Sequence, residues 1–225
     1  MIGGPLFIQC LFNDVKCIRL GPLWQEPNKR GISMPRHPDL EVEGHVLDAA
    51  YRLWKSKGEN GLTMRAVARE ARTTTPTVYQ RFRDKRDILE ALRRRAQLKL
   101  FAAVEPARSI SEFCQRYLEF ASKHQHEYEL IHVDWAARLA RDEPRPSFEL
   151  LKQMLAERLG GDPDEHRQLA LAVAALSHGT ATLLLASGVH KKISRELRQT
   201  CITAAEGLIY CARRHRNTPT NLRLE

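Results

Sequence analysis

Leu62-Thr63-Met64-Arg65-Ala66-Val67-Ala68-Arg69-Glu70-Ala71-Arg72-Thr73-Thr74-Thr75-Pro76-Thr77-Val78-Tyr79-Gln80-Arg81-Phe82-Arg83-Asp84-Lys85-Arg86-Asp87-Ile88-Leu89 is the stretch that decides the fold. Its apolar residues recur in short helical runs, each preceded by a residue type that starts helices. Thr63 can cap a helix that reaches Ala71 and turns Met64, Val67 and Ala68 to one side. Thr74 or Thr75 can cap the next helix, through Phe82, with Pro76 in its first turn, where a missing amide hydrogen costs little. Asp84 can cap a third, and Asp87 three positions on is a short relative of the capping-box acid. Two short helices joined so closely can cross with the second in the major groove of DNA and the first on the phosphate backbone. Ala66, Ala68 and Ala71 are small enough to permit that crossing.

Outward from this stretch the chain stays helical. Upstream, Val46, Leu47, Ala50, Leu53 and Trp54 form one apolar stripe on a helix that starts near Pro38 and ends before Gly58. Downstream, Ile88, Leu89 and Leu92 lead into a basic run from Arg93 to Lys99, followed by helical patterns over 110–125, 128–140, 148–159, 166–187 and 193–213. Gly160 and Gly161 close the third of these, and a turn at Gly188 separates the last two. No strand alternation of useful length and no internal repeat occur, so the expected fold is all-α. Gly and Pro crowd the first 38 residues, so 1–35 is expected to be a disordered extension, with Met34 an alternative start of translation, and 217–225 a flexible tail. Asp14, Lys16 and Arg19 break the apolar N-terminal run, which argues against a signal peptide.

The side chains of the quoted stretch divide by chemistry. Val67, Val78 and Phe82 are expected to face the preceding helix, which leaves Thr75, Thr77, Gln80 and Arg81 toward the groove, with Pro76 setting how the threonines are presented. Gln pairs with adenine, Thr touches the thymine methyl and Arg pairs with guanine. Thr63, Thr74 and Lys85 lie at helix N-termini, where free amides and the dipole favour phosphate, and Arg65 belongs to the same backbone-facing set.

The whole stretch, with the Gly58 and Gly61 loop before it, resembles the DNA-binding domain of the TetR family over residues 38 to 92. The shared features are the Thr63 cap, Val67-Ala68 and Ala71, the Val78-Tyr79 pair, Phe82, Lys85 and Leu89. The resemblance implies an N-terminal three-helix helix-turn-helix domain over 36–92 and a C-terminal helical ligand-binding and dimerisation domain over 93–216. It implies a homodimer that represses transcription from a pseudo-palindromic operator on double-stranded DNA, released by a small-molecule effector and needing no cofactor. It also assigns Tyr79 a phosphate contact through its hydroxyl. The stretches Tyr117-Leu118-Glu119-Phe120-Ala121, His126-Glu127-Tyr128 and Leu176-Ser177-His178-Gly179 resemble regulatory domains of one branch of the family, whose last two long helices pair across the dimer. One departure concerns the turn, where Arg72 stands in place of the usual glycine. A left-handed conformation there would cost roughly 1 kcal/mol, so another turn geometry stays open.

Charge agrees with a polyanionic partner. The 36 Lys and Arg exceed the 27 Asp and Glu by nine, and from Arg36 to Lys99 fifteen basic residues face nine acidic ones, so about six of the net charge sits in under a third of the chain. A nonspecific architectural DNA binder would share this charge, and the motif is what separates the two. Five cysteines without CxxC spacing argue against a disulfide framework or zinc module and for a reducing, cytoplasmic compartment. No run of 18 uncharged apolar residues suggests a membrane span. No GxSxG, Walker, GxGxxG or HExxH pattern supports an enzyme. His124 and His126 point about 200° apart on one helix, a poor metal site. The candidate effector wall lies in the middle helices: Phe113, Tyr117, Phe120, Tyr128, His132, Trp135, Met154 and His178. Among them His178, set in an apolar helix, requires a polar partner.

Overall fold

Helix one forms where the stripe predicted it. In the computed structural model, which describes residues 38–217 except 134–137, 139–140, 142, 144 and 187–188, α1 spans Pro38–Lys57. It buries Val46, Ala49, Ala50, Leu53 and Trp54. Gly58, at φ 61°, ends it in a conformation that favours glycine. A short 3-10 turn, Glu59–Gly61, follows, and a Cβ on Gly61 would collide with the Cβ of Lys57. Next come α2 (Met64–Glu70) and α3 (Thr75–Tyr79). Val67, Val78 and Phe82 place α2 and α3 in one buried core with the stripe of α1.

α4, Lys85–Val104, is the element that organises the rest. Ile88, Leu92, Ala96, Leu100 and Val104 repeat every fourth residue and are all buried, one continuous stripe along a helix of about 30 Å. Its first turn closes the core of α1 to α3, and its later turns lie against α5 (Ile110–Lys123) and α6 (Gln125–His132). The expected domain boundary at residue 92 therefore falls inside a continuous helix. The remaining helices are α7 (Pro146–Leu159), a 3-10 turn at Pro163–His166, α8 (Arg167–Leu185) and α9 (Lys191–Asn217). No strand occurs among the described residues.

Three differences from the sequence reading have physical causes. α7 starts at Pro146, two residues before the helical pattern expected over 148–159, because proline fits the first turn of a helix. α3 ends at Tyr79, short of Phe82, although Gln80 and Phe82 still donate to the carbonyls of Pro76 and Val78. The run Pro163–Leu185 is long and apolar enough, by composition alone, to reach across a bilayer, which corrects the expectation that nothing of that kind is present. In the fold its residues Ala170, Val173, Ser177 and Ala181 pack into the core. The segments expected to be disordered, 1–35 and most of 217–225, lie outside the described residues.

Candidate functional site

The short helices of the quoted stretch are built by their caps. The Thr63 hydroxyl accepts from the amide of Ala66 at 3.1 Å, and the Thr74 hydroxyl accepts from the amide of Thr77 at 3.3 Å. Asp84 accepts from the amide of Asp87 at 2.9 Å, while the Asp87 carboxylate takes the Arg83 amide at 3.0 Å and its guanidinium at 2.7 Å. That Arg83 pairing holds the Asp87 carboxyl down at about 2. Between α2 and α3 the chain turns through Arg72 at φ 53°, the one non-glycine residue with positive φ among those described. The Arg72 amide donates to Arg69 and the Thr73 amide to Ala68, at 3.2 and 2.9 Å. This is a Schellman ending with arginine in the position that favours glycine.

With Val78 fully buried, the other side of α3 is left outward: Tyr79 is 54% exposed, Pro76 and Gln80 are exposed, and Thr75 and Thr77 are half-buried. The Thr77 hydroxyl shares a 2.8 Å hydrogen bond with that of Thr74, so one hydroxyl orients the other. Thr63 and Arg65 are exposed at the start of α2. Lys85, the first residue of α4, reaches Glu59 in an ion pair of 3.1 Å, and Arg52 ties α1 to Glu70 at the end of α2. Both pairs are solvent-exposed and weigh more on geometry than on stability.

A second feature lies among α4 to α8. A cavity of about 50 Å³ is floored by buried Leu100, Phe113, Ile131 and Leu151, with half-buried Arg145 and Ser147 at its rim. Tyr117, His132 and His178 supply its polar side. The His132 tautomer follows from its partners. His132 donates from Nδ1 to the Tyr128 carbonyl at 2.7 Å, so its Nε2 accepts from the Tyr117 hydroxyl at 3.3 Å. The Tyr128 hydroxyl shares a 2.6 Å hydrogen bond with His178 Nδ1 and lies 3.3 Å from the His178 carbonyl. The two imidazoles stack, centroids 4.3 Å apart. Burial pushes His132 down to about 4, and it lowers His178 as well, so both are neutral near pH 7. Ser177 also lines the cavity, and its hydroxyl donates to Cys114 Sγ at 3.6 Å.

Two family models match the chain: "Bacterial regulatory proteins, tetR family" over residues 46–92, and "Tetracyclin repressor-like, C-terminal domain" over residues 110–203. The chain belongs to the TetR family. It is thereby a DNA-binding transcriptional regulator, and the helix-turn-helix is its reading head. Solved structures agree on the TetR fold. The multidrug binding protein EbrR complexed with imidazole is 26% identical, with 81% of this chain and 97% of that one covered and a TM-score of 0.58. A TetR-family transcriptional regulator from Streptomyces coelicolor is 23% identical, with 75% and 99% covered and a TM-score of 0.55. EbrR complexed with proflavin is 22% identical, with 74% and 99% covered and a TM-score of 0.51. No curated relative matches.

Against this TetR frame the effector candidates separate. Phe113, Tyr117, His132 and His178 line the cavity, and Tyr128 stands behind it as the partner of His178. Phe120 and Met154 do not line it: Phe120 is buried beside His124, and Met154 packs against the core from α7. Helical periodicity identified them as inward-facing, and that property does not distinguish a cavity wall from solid core. Trp135 lies outside the described residues. Sequence reasoning missed Arg145, Ser147 and Gln97. Their polarity placed them on the surface, and only the path of α7 over α4 brings them to the cavity.

Proposed function

We propose that this TetR-family chain acts as a homodimeric repressor, two copies of α3 reading a pseudo-palindromic operator until a small-molecule effector enters the cavity and releases the DNA. The observation that carries the reading is the continuity of α4. One end holds Lys85 and Ile88 of the reading head, and the other presents Gln97 and Leu100 to the cavity. A ligand that displaces Leu100 shifts the same rigid helix that carries the head. Two heads must meet half-sites one helical turn, about 34 Å, apart, so a small tilt of α4 in each copy mismatches their spacing. Thr63, Arg65, Thr74, Tyr79 and Lys85 take the phosphates, while Thr75, Pro76, Thr77 and Gln80 form the surface toward the bases.

Self-association has its own support. In the single chain, only 28% of the apolar 18-residue window within Pro163–Leu185 is buried. Among the described residues, large exposed apolar side chains are Tyr79 on the reading head and Leu183, Ile193, Leu208 and Tyr210 on α8 and α9. An apolar surface so concentrated on two long helices fits an isologous partner. The effector reading draws support from EbrR, solved with imidazole and with proflavin. Genomic footprinting with the purified protein tests the proposal. It predicts protection of a pseudo-palindrome that a small molecule abolishes; uniform binding without sequence preference would refute it.

A further inference from the structure

We infer that Cys114 and Cys201 form a reversible redox pair, which hydrogen peroxide converts into a disulfide within one chain, tying α5 to α9. The repressor reading makes no use of either sulfur. Both are buried, Cys114 at 0% and Cys201 at 1% exposure, and both thiols are free. They hydrogen-bond to each other where α5 packs on α9. A disulfide needs its sulfurs at about 2.0 Å, a short closure for thiols already in contact.

Two hydroxyls from α8 complete the cluster. Ser177 donates to Cys114 Sγ at 3.6 Å, and Thr180 hydrogen-bonds Cys201. Hydrogen bonds from Cys114 and Thr180 hold the Cys201 thiol below its usual range, while the bond to Cys201 and burial push Cys114 up. Cys201 is therefore the attacking thiolate and Cys114 the resolving thiol. In the first step Cys201 sulfur bonds to one peroxide oxygen and the O–O bond breaks. The hydroxide that leaves takes up the proton Cys201 had released, giving water and a sulfenic acid. In the second step Cys114 sulfur bonds to Cys201 sulfur, the S–O bond breaks, and the departing hydroxide carries off the Cys114 proton as a second water. The two sulfurs lose two electrons and the peroxide gains them.

The fold decides both the partner and the oxidant. Cys201, Ala205 and Ile209 recur every fourth residue, each at no more than 1% exposure, so this face of α9 is turned inward while Leu208 and Tyr210 are exposed. The bond thus closes within a chain. It joins the helix of Phe113 and Tyr117 to the helix that carries that exposed face. Two sulfurs out of reach of solvent meet peroxide, little larger than water, through small openings of the fold, and do not meet glutathione disulfide.

The test treats the reduced full chain at neutral pH with equal concentrations of hydrogen peroxide or glutathione disulfide, then maps the cysteines by alkylation and mass spectrometry of a non-reducing digest. Peroxide is expected to give a Cys114–Cys201 linked peptide, at least about tenfold faster than it oxidises exposed Cys211. The chain should run as a monomer on a denaturing non-reducing gel, and dithiothreitol should restore both thiols. Glutathione disulfide should leave the pair reduced. Cys114→Ala is expected to stop at a Cys201 sulfenic acid that dimedone captures, and Cys201→Ala to leave Cys114 reduced. A pair that stays reduced, or links more slowly than Cys211 is oxidised, overturns the inference. So do links to Cys10, Cys17 or Cys211 in its place, and modification of the pair by glutathione disulfide as fast as by peroxide. These results are read on the unmodified chain and stand whether or not a variant folds. A Cys114 sulfenic acid in a folded Cys201→Ala protein overturns the assignment of the attacking sulfur.

Discussion

Replacing Arg72 by glycine should make the protein more stable, although it deletes a side chain and adds none. Arg72 sits at φ 53° between α2 and α3, where an L side chain brings its Cβ against the following carbonyl at a cost of about 1–2 kcal/mol. Glycine removes that strain but orders a freer backbone on folding, at roughly 0.5–1 kcal/mol. The balance is a gain of about 0.5–1 kcal/mol, or roughly 1–4 °C in melting temperature for a chain of this size. The Schellman hydrogen bonds, Arg72 to Arg69 and Thr73 to Ala68, stay in place. Arg72→Ala is the control, since alanine keeps the Cβ and hence the strain while removing the exposed charge. Thermal melts followed by circular dichroism on the three proteins give the answer. Glycine above arginine with alanine near arginine is the expected order. Glycine at or below the parent, or alanine rising as far as glycine, would refute the claim that strain and not charge sets the cost.

The remaining predictions concern binding, assembly and pH. Gln80→Ala should relax preference at particular operator bases, whereas Lys85→Ala should weaken binding to every sequence and reduce the salt slope by about one; mobility shifts on operator variants distinguish the two. Tyr210→Glu on the exposed face of α9 should shift the sedimentation profile toward monomer, and an unchanged profile would remove that face from the interface. His132 should make the fold sensitive to mild acid. Its unfolded value is 6.5 and its folded value about 4, so below 6.5 the unfolded chain takes up a proton that the folded chain refuses. Stability then falls between pH 6.5 and 4 by roughly 3 kcal/mol, and His132→Gln should remove that part of the slope in denaturant titrations.

Local features of the fold were legible in the sequence because they depend on neighbours in the chain. Thr63, Thr74, Asp84 and Gly160 are caps and turns whose partners lie within four residues. The buried stripe of α1 needs only helical period. The cavity depends on tertiary path, and there the sequence was a poor guide. Periodicity ranked Phe120 and Met154 equal to Phe113 and Tyr117, because an inward direction is common to all four. It could not find Arg145, whose place at the rim depends on where α7 crosses. The His178 requirement for a polar partner was legible, while the identity of that partner, Tyr128 from α6, was not. Similarly, Arg72 was recognisable as a departure in the turn, but whether the chain would accept the strain was decided by the two hydrogen bonds that the left-handed geometry makes possible.

The division between head and cavity also constrains the energetics of release. To turn a 99:1 preference for the operator-competent form into 1:99, ligand binding must favour the released form by about 10⁴ in all, or roughly 5.5 kcal/mol. In the proposed dimer two cavities share this, so each ligand must discriminate by about a hundredfold. That is the scale of one charge-assisted hydrogen bond, about 1.5–3 kcal/mol. A single strong polar contact in each cavity is therefore sufficient to drive the switch, provided that it forms fully in one state only. The cavity meets the structural condition for this: Ser147 and Leu151 on one wall belong to α7, whereas Gln97 and Leu100 on another belong to α4. A ligand held by both must fix the distance between them, and α4 is the helix that carries the reading head.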